Sequence, residues 1–201
     1  MKNLPYVVTV FIAMCAWGVL HSWLAAFSTK AMVQRIVGKG VSRFYRLAFI
    51  AVAGLTLLPI LGLVVYLPAR ALWRMPAPWL YFTLTLQGLA LLGLVLTVQQ
   101  VDTLAFVGLR QMRNPDAEKD SKLVTRGFYR WVRHPLYFFS LVILWLIPIM
   151  TDLSLAFVVA SSLYFIVGTV PEERKLVKLY GDPYREYQKT VPRIIPWLWI
   201  F

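Results

Sequence analysis

Three continuous apolar runs, residues 5–26, 44–65 and 79–98, constrain this chain more than any other feature. Each is close to the ~20 residues an α-helix needs to cross the hydrocarbon core of a bilayer. Two shorter runs, residues 136–150 and 153–170, are separated only by Thr151 and Asp152 and read as a helical hairpin with a polar tip. With 59% hydrophobic and 15% charged residues in 201, the chain is too apolar for a soluble domain of its size. The expectation is an all-α integral membrane protein of about five transmembrane helices, the last two forming the hairpin. Ala26-Phe27-Ser28 loosely resembles a signal-peptide cleavage site, but the run before it is longer than a typical h-region and reads as a span. The hairpin helices are marginal in length, and hydropathy alone leaves open whether both cross completely.

Charge placement orients this arrangement, because Lys and Arg in short loops favour the cytoplasmic side. The loop after the first span, the long loop 99–133 and the C-terminal tail hold 18 of the 21 Lys and Arg; Lys2, Arg70 and Arg74 are the rest. The N-terminus is expected outside and the C-terminus in the cytoplasm. A net charge of +12 raises the question of nucleic acid, but the cations flank hydrophobic spans and no nucleic-acid motif accompanies them. Anionic lipid headgroups explain them better. Cys15 is the only cysteine, so an intramolecular disulfide and a cysteine metal site are both excluded; mid-helix, it reads as a small core residue.

The chain divides near residue 99, with three plain spans in 1–98 and nearly all polar residues close to helix ends in 99–201. Asn114-Pro115-Asp116 and the mixed charges after it read as a solvated excursion with a turn. After residue 170 two short helices are expected, 171–180 ended by Gly181 and a second with Asp182 as N-cap and Pro183 at its first position. Leu176, Leu179 and Tyr180 would share an apolar face.

Arg133, His134 and Tyr137 stand at the mouth of the fourth helix, where Pro135 is tolerated because the first turn does not need its N–H. The positive end of that helix, with Arg133 and His134, suits a carboxylate or phosphate of a ligand. The same residues also fit a positive-inside anchor with an aromatic belt. Glu172 and Glu173 follow the last apolar run among many cations. They fit a ligand bearing positive charge or ribose hydroxyls, or salt bridges to Arg174, Lys175 or Arg133. Tyr180, Tyr184 and Tyr187 could form a lid or a cage for a sulfonium or ammonium, or pack at the interface. His21, Asp102 and Arg110 are further polar groups near membrane depth. No G-x-G-x-x-G, P-loop or H-E-x-x-H is present, so soluble-type nucleotide sites and zinc hydrolysis have no support.

Residues 123–137, LVTRGFYRWVRHPLY, followed by Glu172-Glu173 and the stretch 184–193, resemble the isoprenylcysteine carboxyl methyltransferase and phospholipid methyltransferase superfamily over roughly the last 90 residues. Residues 107–111, 148–151 and His21-Ser22 look most like its bacterial branch of methanethiol S-methyltransferases and NnrU-like proteins. The resemblance implies S-adenosylmethionine as methyl donor in a bacterial-type inner membrane, bound on the cytoplasmic side, with the acceptor entering from the bilayer. It further implies that Gly127, Tyr129, His134, Pro135 and Tyr137 border the donor, that Glu172 and Glu173 meet its polar groups, and that Tyr184, Tyr187 and Arg193 close the site. Arg133, Arg110 and Tyr137 are the catalytic candidates, an arginine favouring the thiolate of a thiol acceptor. His21, Asp102 and Arg193 are candidates for contact with the acceptor, and no metal is implied. A small thiol is the expected acceptor; an isoprenylcysteine carboxylate or a phospholipid fits the same residues. A nicotinamide-dependent reductase of the sterol-reductase type and a non-enzymatic membrane assembly factor are the competing readings.

Overall fold

The computed structural model describes residues 3–101, 103–113 and 122–198. In chain order the helices are α1 (Leu4–Ala25), α2 (Phe27–Val37), α3 (Ser42–Tyr66), α4 (Ala77–Gln100), α5 (Thr103–Val107), α6 (Leu109–Arg113), α7 (Pro135–Trp145), α8 (Asp152–Tyr180) and α9 (Asp182–Thr190). Short 3₁₀ turns occupy Lys39–Val41 and Gly127–Arg130, and two short strands, β1 (Ala71–Arg74) and β2 (Ile149–Thr151), pair into a ribbon. Four helices are long and apolar enough to cross a membrane, namely α1, α3, α4 and α8, and α7 is a shorter apolar helix. The chain is an all-α integral membrane protein.

The described residues form two compact units, one from 3–70, 103–113 and 151–161, the other from 71–101, 122–150 and 162–198. In the first, Val10 packs with Leu153 and Ala156, and Met14 with Ile60 and Ala160, while Phe11 and Phe157 touch both clusters. Lipid tails are as apolar as leucine, so helix association here rests on packing and interhelical hydrogen bonds. Trp17 supplies one, its indole N–H 3.1 Å from both the Ala53 carbonyl and the Thr56 hydroxyl. Asp152 opens α8, accepting from the Arg70 N–H at 3.0 Å and the Asn3 amide at 3.2 Å. Thr151 and Ser154 cap one another reciprocally, Thr151 N–H to Ser154 Oγ at 2.7 Å and Ser154 N–H to Thr151 Oγ1 at 3.1 Å.

In the second unit α4 presents a buried small-residue stripe, Thr83, Ala90, Gly93 and Thr97, to α7. A Cβ on Gly93 would fall 2.5 Å from the Phe139 ring, so only glycine allows this approach. Gln87 seals the contact by donating to the Ile143 carbonyl at 2.9 Å.

Three expectations are corrected. The run 136–150 is not one helix, because α7 stops at Trp145 and residues 149–151 turn extended to pair with β1, with Met75 N–H reaching the Pro148 carbonyl at 2.9 Å. The expected break at residue 171 is absent: α8 runs through Pro171 for 29 residues, its far end held by side-chain ties. Asp182 is the first residue of α9 and not its N-cap; Gly181, at φ 65°, takes the cap position.

Candidate active site

Every side chain of the cluster described here belongs to the second unit. The segment entering α7 is pinned at Gly127, whose φ of +64° and lack of a Cβ leave room for the Gln100 carboxamide. Gln100 Oε1 accepts the Phe128 N–H at 3.1 Å. His134 then caps α7 from an irregular backbone conformation, with Pro135 in the first turn. The segment after α9 lies alongside, the Arg133 and His134 N–H groups donating to the Pro192 and Arg193 carbonyls at 2.9 and 3.0 Å.

These constraints place Arg133 against Glu173, with Nε 2.7 Å from Oε1 and side chains 7% and 6% exposed. The same guanidinium donates through Nη1 to the carbonyls of Gln188 at 2.9 Å and Val191 at 2.6 Å. Glu173 Oε2 accepts from the Gln188 amide at 2.9 Å and lies 3.5 Å from Arg193 Nη2. This buried carboxylate thus has partners on both oxygens, as a charge in that environment requires. His134 bridges the two glutamates, Nε2 3.3 Å from Glu173 Oε1 and Nδ1 3.6 Å from Glu172 Oε2. Tyr137 donates its hydroxyl to Glu172 Oε2 at 2.7 Å and stacks between His134 and Phe165, at ring separations of 5.4 and 4.9 Å.

A cavity of about 170 Å³ opens beside this cluster, bounded by Lys122 to Val124, Tyr129, Arg133 to Tyr137, Glu172, Leu176, Tyr180, Tyr184 and Tyr187. Tyr184, Tyr187 and Val191 form the buried face of the α9 region, packed on Leu123, Leu176, Val177 and Tyr180; Val177, and not the expected Leu179, completes that face. Tyr187 donates to the Tyr129 carbonyl at 2.5 Å. Burial, reinforced by the Glu172 charge, pushes the Tyr129 phenol up to about 12. Burial likewise raises Tyr184 and Tyr187. All three remain protonated near neutral pH and are not bases there.

Of the residues singled out from the sequence, Tyr129, Arg133, His134, Pro135, Tyr137, Glu172, Tyr184 and Tyr187 meet around this cavity. Glu173 and Arg193 stand in the ion-pair layer beside it, and Gly127 sits against Gln100, outside the lining. His21, in α1 of the first unit, stacks on Trp17 at 4.9 Å and meets the Phe49 ring at a tilt, 4.8 Å away. Arg110 is an exposed residue of α6 in that same unit, and Asp102 lies outside the described residues. Gln100 and Gln188 were not anticipated. Gln188 follows Tyr187 and lies four residues after Tyr184, a spacing that puts an amide beside the tyrosine face and could have marked it.

The four long apolar helices define an integral-membrane protein, and the cavity of the second unit is walled by aromatic rings with the Glu172 carboxylate among them. The pattern of the phospholipid methyltransferase family matches residues 83–183, half of the chain. Methanethiol S-methyltransferase 1 of Bradyrhizobium diazoefficiens is 31% identical over 195 residues, 95% of this chain and 67% of that protein. Methanethiol S-methyltransferase of Crocosphaera subtropica is 38% identical over 94 residues, 45% of this chain and 37% of that one. Protein-S-isoprenylcysteine O-methyltransferase of Schizosaccharomyces pombe is 31% identical over 131 residues, 53% of each. No solved structure matches. The chain belongs to the phospholipid methyltransferase family, as an integral-membrane member.

Proposed function

We propose that this protein transfers a methyl group from S-adenosylmethionine to a small or membrane-partitioned thiol, with the donor in the cavity beside Glu172 and the cytoplasm on that side. The observation that carries the reading is Glu172 itself, a carboxylate on the cavity wall oriented by Tyr137 and His134. A fixed negative charge among aromatic faces suits a ligand with sulfonium and ammonium centres. When bound, S-adenosylmethionine would supply an electrophilic methyl to the acceptor as its thiolate, the thiol proton having been lost to solvent, and the leaving group would depart as a neutral thioether. The chain therefore has to align two partners and exclude water, which needs neither a metal nor a covalent intermediate.

Its residues divide accordingly. Glu172 offsets the cationic charge of the donor, the tyrosines and Leu176 keep water from the reacting atoms, and Arg133 is a positioning residue. The Arg133 charge is already matched by Glu173, and its Nη1 holds the Gln188 and Val191 carbonyls at the end of the segment that carries Tyr184 and Tyr187. The thiol acceptor rests on two relatives that carry methanethiol in their names.

Calorimetry of S-adenosylmethionine and its demethylated product on detergent-purified protein tests this reading. Micromolar binding that weakens at least about tenfold in Glu172→Gln, with melting unchanged, is expected from loss of a charge-assisted contact. Folded protein that binds neither compound would overturn the proposal. Transfer of labelled methyl to methanethiol, and not to a prenylcysteine carboxylate, then decides the acceptor.

A further inference from the structure

Tyr184 carries a buried hydroxyl that bonds to nothing among the described residues. The residue is 1% exposed and borders the cavity, and among the described residues its hydroxyl has no hydrogen-bond partner. Its neighbours show how unusual this is, since the Tyr137 hydroxyl is taken by Glu172 and the Tyr187 hydroxyl by the Tyr129 carbonyl. A buried polar group left unpaired is destabilising, and native structures keep few of them. A phenylalanine would fill the same space against Leu123, Leu176 and Val177 without that cost.

The surroundings limit what the hydroxyl can meet. Burial and the nearby Glu173 and Glu172 charges raise its ionisation, so it offers a proton and does not present a phenolate. Those carboxylates repel an anionic acceptor. The adjoining wall, Leu123, Leu176 and the Tyr187 ring 5.8 Å away and edge-on, accepts a flat or weakly polar group. Glu172 reaches the cavity from α8 and Tyr184 from α9, so the two address a ligand from different elements.

Resting on the proposed binding of S-adenosylmethionine in this cavity, we propose that the Tyr184 hydroxyl donates a hydrogen bond to a neutral acceptor on the nucleoside part of the donor, a ribose oxygen or a purine ring nitrogen. Glu172 would then hold the charged end and Tyr184 the nucleoside end of one molecule.

The test compares wild type with Tyr184→Phe in detergent, reading melting without ligand and affinity for two probes. One probe is S-adenosylhomocysteine; the other is 5′-methylthioadenosine, which keeps the nucleoside and lacks the amino acid, measured by competition so that weak binding registers. The expected result is a melting temperature equal to or above wild type and a loss of about 3- to 10-fold in affinity for both probes, the size of one neutral hydrogen bond. Unchanged affinity with raised melting would show the hydroxyl to be a packing leftover, and loss for S-adenosylhomocysteine alone would move its contact to the amino-acid end; either overturns the inference. Lowered melting would mean that the hydroxyl has a protein partner, which removes the premise. Wild-type protein that binds neither probe would instead fail the binding reading on which the inference stands, whereas equal binding by both proteins leaves that reading intact and rejects only the role of Tyr184.

Discussion

Arg133 and Glu173 are both nearly inaccessible and both charged, so each depends on the other for compensation. Removing one partner of a buried pair typically costs about 3–5 kcal/mol, because the survivor stays buried and unpaired. Glu173→Gln is therefore expected to lower the melting temperature sharply. Adding Arg133→Met should recover part of that loss, and a double-mutant cycle in detergent measures the coupling. Full additivity of the two changes would contradict the pairing. The exposed pair Lys189–Glu186, 69% accessible on both sides, is worth well under about 1 kcal/mol and serves as the contrast. At this scale the sequence was half legible. The run Arg133-His134-Pro135-Leu136-Tyr137 and the two glutamates stood out as residue types, yet which glutamate faced the cavity and which faced Arg133 did not. Glu172 and Glu173 are adjacent in a helix, about 100° apart around its axis, and only the position of α7 and α9 assigns them their different partners.

The contact of α4 with α7 turns on Gly93, where any side chain meets the Phe139 ring. Phe139 is itself held edge-on by Phe128 at 4.9 Å, in the turn that leads to Arg133. Gly93→Ala is expected to force the two helices apart, with a cost of about 1–3 kcal/mol for overpacking. Melting should fall, and donor affinity should fall with it because the turn carrying Tyr129 moves; an unchanged melting point would mean that the ring simply swings aside. The helices α1, α3 and α4 were readable because a span needs only length and apolarity. The ends of α7 and the continuity of α8 were not. Residues 149–151 leave the helix because β1 offers them a partner, and Pro171 stays within one because Glu172 and Glu173 are tied to residues about 40 positions earlier.

For the whole molecule, the charge asymmetry is the property that a bilayer reads, and it assigns the cavity to the cytoplasmic side under our proposal. Single cysteines placed in a Cys15→Ser background report this directly. Ala69→Cys, in the exposed loop after α3, should react with a membrane-impermeant maleimide in intact spheroplasts, whereas Lys189→Cys on α9 should react only after permeabilisation. The opposite pattern would invert the proposed orientation. What the sequence by itself determined was that the chain enters a membrane, where α1, α3 and α4 lie, and where its polar chemistry is concentrated, because hydropathy and charge are local sums that need no partner. What only the tertiary structure decided was how Arg133, Glu172, Glu173, Gln188 and the tyrosines divide between ion pair and cavity wall. That division depends on contacts between residues 35 to 58 positions apart, and such contacts exist only once α7, α8 and α9 are packed.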